Sequence, residues 1–274
     1  MSQARAACPV FVCVRQALDW NLSTKDFRFG RDTNEPVVAF ARYRIDQFDE
    51  IAVEVALQAI AGSAASDIAV HALTVGPSAA QDVLKHAIAM GAAQAALVDH
   101  PATSGTSVPS LLAAAIRRAS SGPVVLCGRT GSERGSAVTG PVIAEVLGTP
   151  FVPNVVRMER HAEGWVCQRE SVRGYERVLV KGPFVASVTN ASFNVPRVPS
   201  LKDKMRAHRQ NIDSVSAGAL VNREQGATCG LAPLQIRRRY VPEIARQCTR
   251  LEGEVTEQAT ALASYINAAL LTVH

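Results

Sequence analysis

Val124-Val125-Leu126-Cys127-Gly128-Arg129-Thr130-Gly131-Ser132-Glu133-Arg134-Gly135-Ser136 runs from four apolar residues into a glycine-rich turn, and Thr139-Gly140-Pro141 then opens an apolar helix. This reads as a parallel strand whose carboxyl end leads to a helix N-terminus. Such a turn presents backbone N–H groups and the positive helix end to an anion. The spacing is not that of the GxxxxGK[ST] P-loop, and no lysine stands where that loop needs one. On residues alone, a phosphate cradle and an ordinary connection both remain open.

Outward from that unit, short β-rich runs alternate with helical periods from residue 9 to about 150, which argues for a parallel sheet covered by helices. Val10 to Val14 reads as the first strand. Phe48 to Ala61 carries a helical stripe of Phe48, Ile51, Ala52, Val55, Ala56 and Ile60, with Asp49 and Glu50 in its first turn. Ile68 to Val75 reads as a strand closed by Gly76-Pro77. Ser78 is expected to cap a helix from about Ala79 to Met90, ended by Gly91. Ala95–Val98 is a short strand and Ser107–Ala119 a helix. Beyond Thr149 the runs Asn154–Glu159, Trp165–Arg169, Tyr175–Lys181 and Phe184–Thr189 are short and bounded by turns, and predict antiparallel strands or an added sheet edge. The tail starts polar and turns helical over Val241–Leu251 and Val255–Leu271. The expected fold is therefore α/β, a mostly parallel doubly wound sheet with an added antiparallel region and a C-terminal helical arm. Its expected division is 1–205 and 206–274.

The chain has 274 residues, 47% hydrophobic and 19% charged, as in an ordinary globular protein. No apolar run approaches the roughly 20 residues of a membrane span. Cys8 to Val14 lacks a following small-residue cleavage site, so the expectation is a cytoplasmic protein, not integral to a membrane. Six cysteines form no CxxC pair and six histidines are scattered, so buried reduced thiols are expected and a structural metal is not. The net charge of +5 gathers in Lys202, Lys204, Arg206, His208, Arg209 and Arg237 to Arg239. Few aromatics stand beside it, which argues against nucleic acid.

A second candidate is Val12-Cys13-Val14-Arg15-Gln16-Ala17-Leu18-Asp19-Trp20, where the first strand ends in polar residues and a large aromatic. Ligands of open α/β sheets sit outside the carboxyl ends of the strands, so this end and the Gly128 turn can face one crevice. Asp46, Asp49 and Glu50 cluster at a helix start, which is ordinary capping chemistry. No Ser-His-Asp order, activated cysteine or paired-carboxylate motif stands out, so the expectation is a binding protein without catalytic residues. A third segment, Asn194-Val195-Pro196-Arg197-Val198-Pro199-Ser200-Leu201-Lys202-Asp203-Lys204-Met205, is held extended by its prolines and ends on two apolar side chains.

Taken in order, these pieces resemble the β subunit of electron transfer flavoproteins. The resemblance runs from about Val10 to Arg209. It is carried by Val12-Cys13-Val14-Arg15-Gln16, Phe48-Asp49-Glu50-Ile51-Ala52-Val53-Glu54, Val75-Gly76-Pro77, Ala87-Ile88-Ala89-Met90-Gly91-Ala92, Cys127-Gly128-Arg129 and Gly140-Pro141. Its most specific parts are Arg169-Glu170 with Gly174-Tyr175-Glu176, Pro183-Phe184-Val185, and Asn194-x-Pro-Arg-x-Pro-Ser-Leu ending in Met205.

The resemblance implies a nucleotide-binding fold like that of adenine nucleotide hydrolases, and a heterodimer with an α subunit that holds most of a FAD. Such a carrier takes electrons from flavin-dependent dehydrogenases and passes them singly to an acceptor such as a quinone oxidoreductase. It implies a structural AMP, or a second FAD in bifurcating relatives. Carried over by position, Cys13, Asp46, Val75 and the loop Arg129, Thr130, Gly131, Ser132, Glu133, Arg134, Gly135, Ser136 and Thr139 would line the nucleotide site. Trp20 and Phe48 would approach the flavin ring. Pro199, Ser200, Leu201 and Met205 would dock a dehydrogenase, with Leu201 as the anchor on a rigid loop.

The family loop typically reads Gln-Ala-x-Asp-x-Asp, then a Gln before Gly-Pro; here Thr130 to Gly135 and Val138 stand in those places, and Asp46-Gln47 replaces Asn-Pro. An Asp46 carboxylate about 6 Å from a phosphate would cost about 3 kcal/mol at an effective dielectric of 20, an effect Arg134 would offset. The altered loop leaves a second expectation, a nucleotide-binding regulatory or enzymatic protein of the same fold.

Overall fold

A computed structural model describes residues 9–19, 21, 23, 25, 27–30, 36–38, 42–61, 68–100, 107–133, 135–220 and 248–271. The chain divides into two units, Met1–Phe27 with Val38–Ile236, and Arg28–Val37 with Arg237–His274. β1 (Val10–Cys13) leads to β2 (Gln16–Leu18); β3 (Phe27–Phe29) and β4 (Pro36–Val38) pair with each other. β5 (Tyr43–Ile45) pairs antiparallel with β2 and delivers the chain to α1 (Gln47–Ala61). Then follow β6 (Val70–Gly76), a 3-10 turn at Ser78–Ala80, α2 (Gln81–Met90), β7 (Gln94–Asp99), α3 (Ser107–Ala119), β8 (Val124–Gly128) and α4 (Thr139–Leu147). The rest of the first unit is β9 (Phe151–His161), β10 (Gly164–Ser171), β11 (Gly174–Val180), β12 (Phe184–Val188), α5 (Leu201–His208) and β13 (Asp213–Ser216).

The main sheet has nine strands in the order β11-β10-β9-β12-β8-β1-β6-β7-β13. Only β11-β10 and β10-β9 are antiparallel; β9-β12, β12-β8, β8-β1, β1-β6, β6-β7 and β7-β13 are all parallel. The expected mixed α/β architecture with a mostly parallel sheet is therefore present. Alternation along β1 splits its side chains between two cores. Val10 and Val12 pack in the core that contains α1 and α2, whereas Phe11 and Cys13 join the one that contains α3 and α4. This is the period-two geometry of a strand covered on both faces.

Three expectations are corrected. Phe184–Val188 is neither antiparallel nor at an edge: it lies between β8 and β9, parallel to both, and all five residues are buried. Its uninterrupted apolar run is the mark of a central parallel strand. Ser78 makes no side-chain cap; it begins the 3-10 turn, and α2 starts at Gln81 after an uncapped Ala80. Of the tail helix expected over 241–251, residues 241–247 lie outside the described residues and 248–251 carry no regular structure.

In the second unit, α6 (Val255–Leu271) has the expected limits. Its N-terminus is closed by Glu257, whose carboxylate accepts the Glu254 N–H at 3.0 Å, half of a capping box. Cys13, Cys127 and Cys167 are buried thiols, while Cys248 is exposed. Among the described residues no helix is long and apolar enough to cross a membrane.

Candidate functional site

After β7 the chain crosses to the other face through α3 and returns beside β1 as β8, so strand order reverses between β1 and β8. A crevice opens outside the carboxyl ends of these strands, where open α/β sheets take their ligands. Cys13, Arg15, Asp49, Val75, Gly128, Arg129, Thr130, Gly131, Ser136 and Thr139 all line it. Seven of the lining residues, Cys13, Val75, Arg129, Thr130, Gly131, Ser136 and Thr139, are ones that the family resemblance implied. The N-terminus of α4 borders the same space, and its Val138 cap contributes no side-chain bond. Gly135 takes a φ of +61° and donates its N–H to Gly131 O at 2.9 Å, which closes the turn.

Asp46, Ser132 and Glu133 are drawn into a polar network at this crevice. The β2-β5 ribbon sets Asp46 beside Arg15, and the Asp46 N–H donates to Arg15 O at 2.9 Å. Arg15 Nη2 reaches Asp46 Oδ2 at 2.6 Å. The same oxygen accepts the Ser132 N–H at 2.9 Å and the Ser132 hydroxyl at 2.7 Å. Asp49 lies on the crevice side of α1 and accepts backbone N–H groups from Gly128 and Arg15, each at 2.9 Å. Burial, with the Asp46 charge nearby, pushes the Asp49 carboxyl up to about 7, against the pull of Arg15 and the two N–H donors. Glu133 accepts the Leu18 N–H at 3.0 Å. Phe48 is half-buried under the Arg129 guanidinium, 5.1 Å from its ring centroid. Trp20 and Arg134 lie outside the described residues.

The expected capping role for the acidic cluster is thus only part of its structure. Asp46 does cap α1, accepting the Phe48 N–H at 3.3 Å. Its other oxygen, and both oxygens of Asp49, bind across 31 to 86 residues of sequence. Arg15 stood in the second candidate segment without a role of its own, and Asp49 was read only as a helix-start charge. The available signal was an arginine after an apolar strand and an acid on the apolar side of a helix.

The Asn194–Met205 segment is fastened at three polar points. Asn194 is buried; its Oδ1 accepts the Ala191 N–H at 2.7 Å, and its Nδ2 donates to Val156 O and Thr189 O at 3.0 and 2.9 Å. Arg197 forms a fork on Glu54 of α1, Nε to Oε2 at 2.7 Å and Nη2 to Oε1 at 3.0 Å, and its N–H adds a bond at 3.1 Å. Ser200 caps α5 by accepting the Asp203 N–H at 3.2 Å. Between and beyond these anchors Val195, Val198, Leu201 and Met205 point outward, with Leu201 75% exposed. Leu201 is the first residue of α5, not a loop residue as expected, because Ser200 is an effective N-cap. Pro199 is half-buried just before the cap. Glu54 and Arg197 were also missed, although a glutamate among Val53, Val55 and Ala56 on an apolar helix is a visible sign of a buried partner.

The fold and crevice define an α/β protein with a ligand-type cleft at the topological switch point of a mostly parallel sheet. Residues 37–220 match the family described as electron transfer flavoprotein domain, and the chain belongs to that family. It is similar to electron transfer flavoprotein subunit beta of Bradyrhizobium diazoefficiens, 28% identical over 74% of this chain and 79% of that protein. The protein of the same description from Megasphaera elsdenii is 26% identical over 85% of this chain and 87% of its own length. That from Syntrophomonas wolfei is 27% identical over 77% and 80%. The family and these relatives support a role in electron transfer by a flavoprotein.

Proposed function

We propose that the chain is the β subunit of a heterodimeric electron transfer flavoprotein, a cytoplasmic carrier and not an enzyme. In this reading an α subunit holds most of a FAD, which supplies the redox chemistry when bound. By resemblance Phe48 and Trp20 would stand toward its ring, and the carrier would pass electrons singly from a flavin-dependent dehydrogenase to an acceptor such as a quinone oxidoreductase. In this reading α6 (Val255–Leu271) serves as an arm toward the α subunit. By resemblance, Cys13, Val75 and the loop from Arg129 to Thr139 would border an AMP. The cavity among them is about 70 Å³, small beside the roughly 300 Å³ or more of nucleotide-sized sites.

The observation that carries the proposal is the fastened strap with its outward apolar side chains. Three polar anchors hold a segment whose Val195, Val198, Leu201 and Met205 have no need to be exposed for the fold. Burying one leucine contributes roughly 1.5–3 kcal/mol, enough for a transient dehydrogenase complex that must release. Co-expression with an α-type subunit is expected to give a yellow heterodimer reduced by its dehydrogenase. Leu201→Ala should weaken dehydrogenase docking by about tenfold or more while FAD stays bound. A colourless chain that joins no α subunit, or unchanged docking in Leu201→Ala, would count against the reading.

A further inference from the structure

Part of what a glycine-rich turn offers a phosphate is already used. Gly128 N–H ends on Asp49 Oδ1, and the N–H and hydroxyl of Ser132 end on Asp46 Oδ2. One cation of the crevice is used as well: Arg15 Nη2 sits on the same Asp46 oxygen at 2.6 Å. The guanidinium lies so close to the turn that a Cβ at Gly131 would run into it, and a Cβ at Gly128 would meet Asp49 Oδ1 and Phe48. What remains is a cavity of about 70 Å³ beside the unpartnered Thr130 Oγ1 and Arg15 Nε. That is room for a few waters, which would satisfy both atoms.

We infer that this chain fills part of its own phosphate place, with the Asp46 carboxylate taking the Ser132 donors and the Arg15 charge, so that the folded protein retains neither AMP nor a second FAD. The buried Asp46 carboxylate would also repel a nucleotide phosphate at short range, against the offsetting charge of Arg15. The device substitutes a covalently attached anion for a diffusible one.

The inference leans on the electron-carrier reading only for which nucleotides are sought. The full chain, purified with any α subunit it binds and without added nucleotide, is denatured in acid and the released nucleotides are counted by mass spectrometry. The expected result is far less than one AMP per chain and no FAD beyond the one of a heterodimer; one AMP or a second FAD per chain overturns the inference. Absence of any heterodimer or flavin would sink the carrier reading, and the AMP count would still decide the inference. Calorimetric titration with AMP should show no saturable binding to the natural chain at micromolar concentrations. The Asp46→Asn/Asp49→Asn protein should bind AMP at least about tenfold more tightly. Micromolar binding by the natural chain, or no gain in a folded double variant, contradicts it.

Discussion

Replacing Arg197 by alanine tests whether the strap is held by its ion pair with Glu54. Glu54 is buried at its side chain, 6% exposed, while Arg197 is 45% exposed. The carboxylate accepts two side-chain bonds from Arg197, one from the Arg197 N–H and one from Gln58 Nε2 at 3.0 Å. Arg197→Ala removes the first two and leaves a buried charge with the others. Two hydrogen bonds to a charged group are worth roughly 3–6 kcal/mol when fully buried, and solvent screening of a half-exposed guanidinium brings the expected loss to about 2 kcal/mol. For a chain of this size that is a fall in Tm of about 5 °C.

Burial raises the Glu54 carboxyl, but the Arg197 bonds and that of Gln58 outweigh it and hold the group below the ordinary glutamate value of 4.5. A depressed folded-state value means the stabilisation is fully present above about pH 4.5 and is lost as pH falls through the folded-state value. Urea denaturation of the natural chain, Arg197→Ala, Glu54→Gln and the double variant at pH 7 gives the coupling energy directly. A coupling below about 0.3 kcal/mol at pH 7, or one that does not shrink in acid, would refute the reasoning.

Asp49 should show the opposite pH dependence: its folded value of about 7 lies above the ordinary 3.8, so its contribution is fully present below about 3.8 and is lost as pH rises through 7. Thermal denaturation from pH 4 to 8 should therefore decline more in the natural chain than in Asp49→Asn, and parallel curves would count against a buried, proton-holding carboxyl. Gly128→Ala forces Asp49 and Phe48 away from the strand end and should cost roughly 1–3 kcal/mol, whereas Gly148→Ala, with open space around it, should show only the smaller strain of its φ of +67°. Equal losses in urea titrations of the two would show that crevice packing is not what Gly128 serves.

Much of the sheet was legible because its cues are local. The apolar runs of β1, β7 and β8 and the limits of α3 and α6 follow from composition and period within a dozen residues. β12 was misplaced because a short apolar run specifies a strand without specifying its neighbours; pairing with β8 and β9 is decided by how the cores close on both faces. β2, β5 and β13 are too short for any period to show, and each exists through its partner. At the site, strand ends and turns marked the end of β1 with Cys13 and the glycine turn, whereas Val75 was placed there by the family resemblance alone. The Arg15–Asp46–Ser132 and Glu54–Arg197 contacts span 31 to 143 residues, and no local rule pairs charges across such intervals.

The two borders of the nine-stranded sheet have a consequence for solubility. β13 is only four residues long and polar, Asp213-Ser214-Val215-Ser216, and offers an incoming strand little to grip. β11 carries Glu176 and Arg177, which are tied inward to Arg169 at 2.7 Å and to Glu159 at 3.7 Å, and Lys181 beside it holds Glu163 at 2.5 Å. Adding a strand from another molecule at either border would disturb fixed charges or find too short a ladder, which is how natural sheets resist edge-to-edge aggregation. Concentrated solutions of the chain should therefore not grow cross-strand fibres from these borders, and association is steered away from backbone pairing and onto side-chain surfaces.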